Sequence, residues 1–165
     1  MKMNCKIVSL FLSTTAALAT CLAFARSSDI SVVRVPNGGI QPQAVVDGTG
    51  ILHLLYYLGD PAHGDLFYVR SSNQGTNWSA PLRVNSEAGT AIAAGTIRGG
   101  QIALGKNGRI HVAWNGSSAA ESKGPLNPES GKRGAPMFHS RLNDAHSAFE
   151  PERSLMTRTF GLDGG

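Results

Sequence analysis

Few side chains in this sequence combine a reactive type with a setting that would expose it. Asp60 stands in Gly59-Asp60-Pro61-Ala62-His63-Gly64-Asp65. Asp before Pro with glycines nearby is ordinary turn chemistry, and it also places a carboxylate in a loop. Asp65 is the weaker candidate there, because it enters the following apolar run directly. Arg98 stands just ahead of another apolar run. A guanidinium at that point could hold a carboxylate through two parallel hydrogen bonds, or make a salt bridge or carbonyl contact between repeats. His53 and His111 recur in matching surroundings, which favours packing and a hydrogen bond between repeats over catalysis or metal binding. His63, His139 and His146 show no ligand spacing. No metal and no cofactor is expected.

The first 25 residues form no part of a fold. Lys2 and Lys6 give a positive start, an apolar stretch follows, and Ala23-Phe24-Ala25 before Arg26 is a small-x-small cleavage pattern. Ser13, Thr14, Thr15 and Thr20 interrupt the stretch, which is too short to span a bilayer comfortably, so no membrane span is expected. The pattern predicts a secreted or periplasmic protein. Leu18-Ala19-Thr20-Cys21 is also similar to a lipoprotein box in which Cys21 would carry lipid, with Thr20 a poor residue before such a cysteine. Both cysteines, Cys5 and Cys21, lie inside this segment, which excludes disulfides and cysteine metal sites from the processed chain. Removing Lys2 and Lys6 lowers the formal charge of +4 to about +2, too little to argue for a nucleic-acid partner. No basic stripe is interleaved with aromatics.

The rest of the chain must position these residues, and it reads as all-β. Its apolar runs are short, β-branched or aromatic, and bounded by Gly, Asn, Asp and Pro. The stretch from Gln43 to Leu54 can be laid over that from Gln101 to Val112 with Gln, Gly and His recurring at one constant offset. Each copy reads as strand, tight turn, strand, with Asp47-Gly48 and Asn107-Gly108 supplying residues that tolerate positive φ. Third strands are expected at residues 66–71 and 137–140, and short fourth strands at 81–85 and 151–155. Four antiparallel strands per repeat match one β-propeller blade. The division is a lead-in at 26–38, one blade at 39–96, a second at 97–160 and the start of a further blade at 161–165. Because two blades leave apolar faces uncovered, the sequence is expected to be a fragment of a larger propeller. Residues 116–134, rich in Ser, Gly, Pro and Lys, are expected to be a mobile surface insertion, either a lid over a ligand or a variable loop.

Ser71-Ser72-Asn73-Gln74-Gly75-Thr76-Asn77-Trp78 fits the pattern Ser-x-Asp-x-Gly-x-x-Trp with Asn73 in the Asp place. Ser71 and Asn73 can bond backbone groups within the turn, Gly75 takes a left-handed position and Trp78 folds back as an apolar plug. The stretch from Ser140 to Phe149 reads as a degenerate copy with Phe149 for the tryptophan and two extra residues separating it from its Ser. Here the chain resembles the sialidase superfamily of Asp-box, or BNR-repeat, propellers, six-bladed when complete. That resemblance implies a substrate carboxylate held by three arginines, an Asp acid/base, and a Tyr nucleophile activated by a Glu. The first arginine opens the first blade in an Arg-Ile-Pro motif. Here Ile40-Gln41-Pro42 occupies that place, while Arg34-Val35-Pro36 has the right letters too early for the Asp47-Gly48 turn.

The resemblance places the acid/base at Asp60, in the loop between second and third strands. Arg98 would be a carboxylate anchor, since in the second repeat it holds the position Ile40 holds in the first. Loops between second and third strands share a face with the starts of inner strands, so the two should look toward one mouth. The expected function is exo-acting, sialidase-like glycoside hydrolysis on extracellular glycans, with Ile40 arguing against sialic acid itself. The alternative is a non-catalytic propeller that binds glycan or protein through the same mouth.

Overall fold

A computed structural model describes residues 30–95 and 99–156. They form two four-stranded antiparallel sheets. The first holds β1 (Ile40–Val46), β2 (Leu52–Asp60), β3 (His63–Ser71) and β4 (Leu82–Arg83) in that order. The second holds β5 (Gly100–Leu104), β6 (Ile110–Asn115), β7 (Met137–Arg141) and β8 (Arg153–Ser154). The repeat is carried into the register: His53 pairs with Arg70 and Leu55 with Tyr68 in the first sheet, His111 with Arg141 and Ala113 with His139 in the second. No helix among the described residues is long and apolar enough to cross a membrane.

Strand alternation decides which side chains fill the space between the sheets. Leu55, Tyr57, Leu66 and Tyr68 from the first sheet meet Ile110, Val112, Trp114 and Phe138 from the second in one buried cluster. A smaller cluster on the other face of the first sheet holds Leu54, Tyr56 and Val69, with Val35 and Trp78 packed against it. At about 1.5–3 kcal/mol per large apolar side chain removed from water, the cluster between the sheets is the main source of their cohesion. Ala91 stitches the sheets at one end, bridging to Gly64 on one side and to Gly116 on the other.

Three local features depart from the sequence expectation. The stretch around Asp60 is not an open loop. β2 and β3 stay paired out to Asp60 and His63, leaving Pro61 and Ala62 as the turn. Glycine explains this, for Gly59 has a φ of 104° and faces Gly64, where a Cβ would strike the Tyr57 ring and hydroxyl. In the β1–β2 turn, positive φ falls on Gly50 and Asp47 acts through its side chain instead. Its Oδ1 accepts the N–H groups of Thr49 at 2.8 Å and Ile51 at 3.0 Å. The insertion at residues 116–134 is folded and tied down. It carries a short 3-10 helix (Ser118–Lys123), Ser117 donates its hydroxyl to the Gly89 carbonyl at 2.6 Å, and Lys123 reaches Glu87 and Glu152 at 2.9 and 3.2 Å.

Candidate functional site

The end of the sheets that carries the β2–β3 hairpin is where the sequence places a site. Asp60 is exposed there as the last residue of β2. Its Oδ1 accepts the Ala62 N–H at 2.8 Å, so the carboxylate caps its own turn, and among the described residues Oδ2 has no hydrogen-bond partner. Beneath it the Tyr57 hydroxyl donates to the Asp60 carbonyl at 2.6 Å and lies 3.2 Å from that of Ala91. Burial pushes the Tyr57 phenol up, so it stays a proton donor to backbone. The hairpin thus presents at its tip one carboxylate oxygen that has no hydrogen-bond partner among the described residues. Asp65 is a strut within the fold: its Oδ1 accepts from Asn85 Nδ2 at 2.6 Å and from the Gly89 N–H at 2.8 Å.

Arg98 lies outside the described residues. Its chain neighbour Gly99 has a φ of 62° and stands against Gln41, where a Cβ would come within 3.1 Å of Oε1. Gln41 itself sits at an irregularity between Ile40 and Gln43, with a φ of 51°, and donates from Nε2 to the Ala93 carbonyl at 3.1 Å. Ile40, where the sequence resemblance expects an arginine, is an apolar side chain 44% exposed. Arg34 does not replace it. It is exposed and lines a shallow depression with Leu52 and Trp78, at the far end of β2 from Asp60.

That far end holds the Asp-box. Ser71 Oγ accepts the Gly75 N–H at 2.8 Å, Asn73 Oδ1 accepts the Asn77 N–H at 2.9 Å, and Gly75 has a φ of 85°. Trp78 packs on the smaller apolar cluster. The second box is better aligned by backbone than by letters. Ser79 N–H donates to the Arg70 carbonyl and Glu150 N–H to that of Arg141, both at 2.9 Å, closing loops of equal length. Leu142, not Ser140, therefore stands in the place of Ser71, and no residues are inserted before Phe149. Phe149 meets Tyr68 edge-on, with ring centroids 5.6 Å apart.

The paired histidines bond within their own sheets rather than between them. His53 Nε2 lies 3.2 Å from Asp47 Oδ2 and Nδ1 lies 2.6 Å from the Tyr68 hydroxyl. A carboxylate only accepts, which assigns the proton to Nε2 and makes Nδ1 the acceptor from Tyr68. The Thr49 hydroxyl, with the Ile51 N–H and His53, holds the Asp47 carboxyl well below the usual carboxylate range. Burial pushes Tyr68 up to about 12. In the second sheet Gly105 replaces Asp47, and a Cβ there would collide with the His111 ring. His111 Nδ1 instead lies 2.9 Å from His139 Nε2, with the rings stacked. No group of three or more His, Cys, Asp or Glu able to hold a metal is found among the described residues.

No family model matches the chain, and the search of curated proteins finds no match to it.

Proposed function

We propose that the chain supplies two neighbouring blades of an exported, sialidase-like β-propeller that acts on terminal sugars of extracellular glycans at its hairpin end. The observation that carries this is the repeated four-stranded register with an Asp-box loop closed identically after the third strand of each sheet. In this reading Asp60 is the acid/base. The Ala62 N–H fixes Oδ1, and Oδ2 passes a proton to the glycosidic oxygen as the leaving group departs, then takes one from the attacking water. Arg98 anchors a substrate carboxylate. The tyrosine nucleophile, its Glu and the remaining arginines belong to other blades.

A second reading, a non-catalytic glycan- or protein-binding propeller, is favoured by Ile40 in the arginine's place and by the turn-capping bond of Asp60. A panel of chromogenic aryl glycosides, sialoside included, offered to the full-length protein separates the two. The enzyme reading expects release of the chromophore and a fall in kcat of roughly 10²–10⁴ in Asp60→Asn. No turnover on any glycoside, or turnover indifferent to Asp60→Asn, removes it. Binding of the same glycosides without turnover supports the second reading.

A further inference from the structure

Gln41 carries two costs at once. Its φ of 51° lies in the left-handed region, which side chains other than those of Asn and Asp seldom enter. Its Oε1 is buried and has no hydrogen-bond partner among the described residues, and a buried acceptor left unpaired is destabilising. Against these stands the bond from its Nε2 to the Ala93 carbonyl at 3.1 Å. What the amide does for the molecule therefore lies with Ala93.

Ala93 leads to the hairpin tip. Its N–H donates to the Pro61 carbonyl at 2.8 Å. That carbonyl belongs to the same peptide group as the Ala62 N–H, which donates to Asp60 Oδ1 at 2.8 Å. A peptide group is planar, so holding its oxygen sets the direction of its N–H. A peptide that accepts at its oxygen is also the stronger donor at its nitrogen. We propose that Gln41 is a positioning residue for Asp60: through Ala93 and the Pro61–Ala62 peptide it braces the Asp60 carboxylate, with Oδ1 held and Oδ2 left for proton transfer. The inference rests on the reading of Asp60 as the acid/base.

The setting of Gln41 suits a brace. It stands where the register of β1 shifts between Ile40 and Gln43, the kind of irregularity that re-aims a side chain. Gly99 closes on it from the chain entering β5, with room for no Cβ that would not press on Oε1. The segment carrying Ala93 is tied to the hairpin elsewhere, where Gly64 and Ala91 exchange backbone bonds of 3.0 Å and the Tyr57 hydroxyl lies between the Asp60 and Ala91 carbonyls. Those ties hold the strands. Among the described residues, the bond from Ala93 is the one that reaches the Pro61 carbonyl.

The test compares phenyl glycosides, whose leaving group needs a proton, with dinitrophenyl glycosides of the same sugars, whose leaving group departs without one. Gln41→Leu and Gln41→Gly both remove the donor, and the glycine variant also suits the left-handed backbone. In the full-length protein each should lower kcat/KM on the phenyl glycoside on the order of tenfold or more, as a misplaced acid does. On the dinitrophenyl glycoside each should lower it less than about twofold, because no proton is then required. Deuterium exchange over residues 61–64 and 91–95, read by mass spectrometry, should quicken severalfold in both variants, the equivalent of one lost hydrogen bond. Exchange at the parent's rate in both variants overturns the proposal whatever the activity. So does an equal loss on the two leaving groups, as a general loosening of the fold would give, or a Gln41→Gly that behaves as the parent. Quickened exchange in a protein whose turnover is absent, or indifferent to Asp60→Asn, overturns the acid/base reading alone and upholds the brace.

Discussion

Leu55, Tyr57, Leu66 and Tyr68 on the first sheet hold the same register positions as Ala113, Asn115, Met137 and His139 on the second. The first set is buried against the neighbouring sheet. The second set lies on the face of the second sheet turned away from the first, is only partly buried, and includes two polar residues, Asn115 and His139. Along these same strands, His53 and Arg70 are matched by His111 and Arg141 without change of type. The repeat has therefore kept its polar residues at the turn end and exchanged its packing residues at the hairpin end.

The comparison can be broken most sharply by giving the first sheet the packing of the second. Leu55 is fully buried, and Leu55→Ala installs the residue found at the equivalent position 113. The expected cost is about 2–5 kcal/mol, the lost transfer energy plus a cavity that the surrounding aromatic rings cannot close. Urea unfolding of the full-length protein measures it. A cost under about 1 kcal/mol would mean that this face is not the principal core.

How much of this was legible in the sequence differs between the two sheets. The strand pattern and the all-β class follow from short β-branched runs with turn residues between them, and the two sheets carry them out. Around Asp60 the sequence signals a loop through Asp, Pro and two glycines. The absence of side chains on Gly59 and Gly64 in fact lets the strands pair to the tip. In the second box Ser140 matches a letter of the pattern without holding its place. Backbone register places Leu142 there, buried among apolar neighbours, so a polar signature has been replaced by packing. That shift also hid the equivalence of Arg70 and Arg141, each the residue just before its box. The histidine bonds depended on Tyr68 and His139, which sit diagonally across the ladder and leave no trace in the spacing of His53 and His111.

The boxes offer a second contrast of intermediate size. Ser71 is buried, and its Oγ satisfies the Gly75 N–H inside the loop. In the second loop Asn143 does the comparable work, its Oδ1 accepting the Ser147 N–H at 3.0 Å while Leu142 packs in the core. Ser71→Ala should therefore cost about 1–3 kcal/mol, the penalty for leaving a buried donor unpaired. Restoring the Ser of the motif with Leu142→Ser should also destabilise, through lost burial. Paired urea denaturation curves decide the matter, and a stabilising Leu142→Ser would refute the claim that packing has replaced the polar signature in the second box.

The smallest effect concerns the histidine pair, and it is read against pH. Burial first, and then the neighbouring His111, lower the pKa of His139 in the folded protein, with Arg141 and Arg153 acting in the same direction and Glu150 against them. The unfolded chain, with an ordinary histidine value near 6.5, then takes up a proton more readily than the folded one. Stability is complete above about pH 6.5 and declines as the pH falls through that value toward the lower folded one. His139→Tyr converts the second sheet to the arrangement of the first, where the Tyr68 hydroxyl donates to His53 Nδ1. The variant's hydroxyl can serve His111 in the same way and carries no charge on acidification. Thermal unfolding on either side of pH 6.5 should show a smaller acid-side loss in His139→Tyr than in the parent. An identical pH dependence in the two proteins would place the titrating group elsewhere and leave the histidine pair as packing alone.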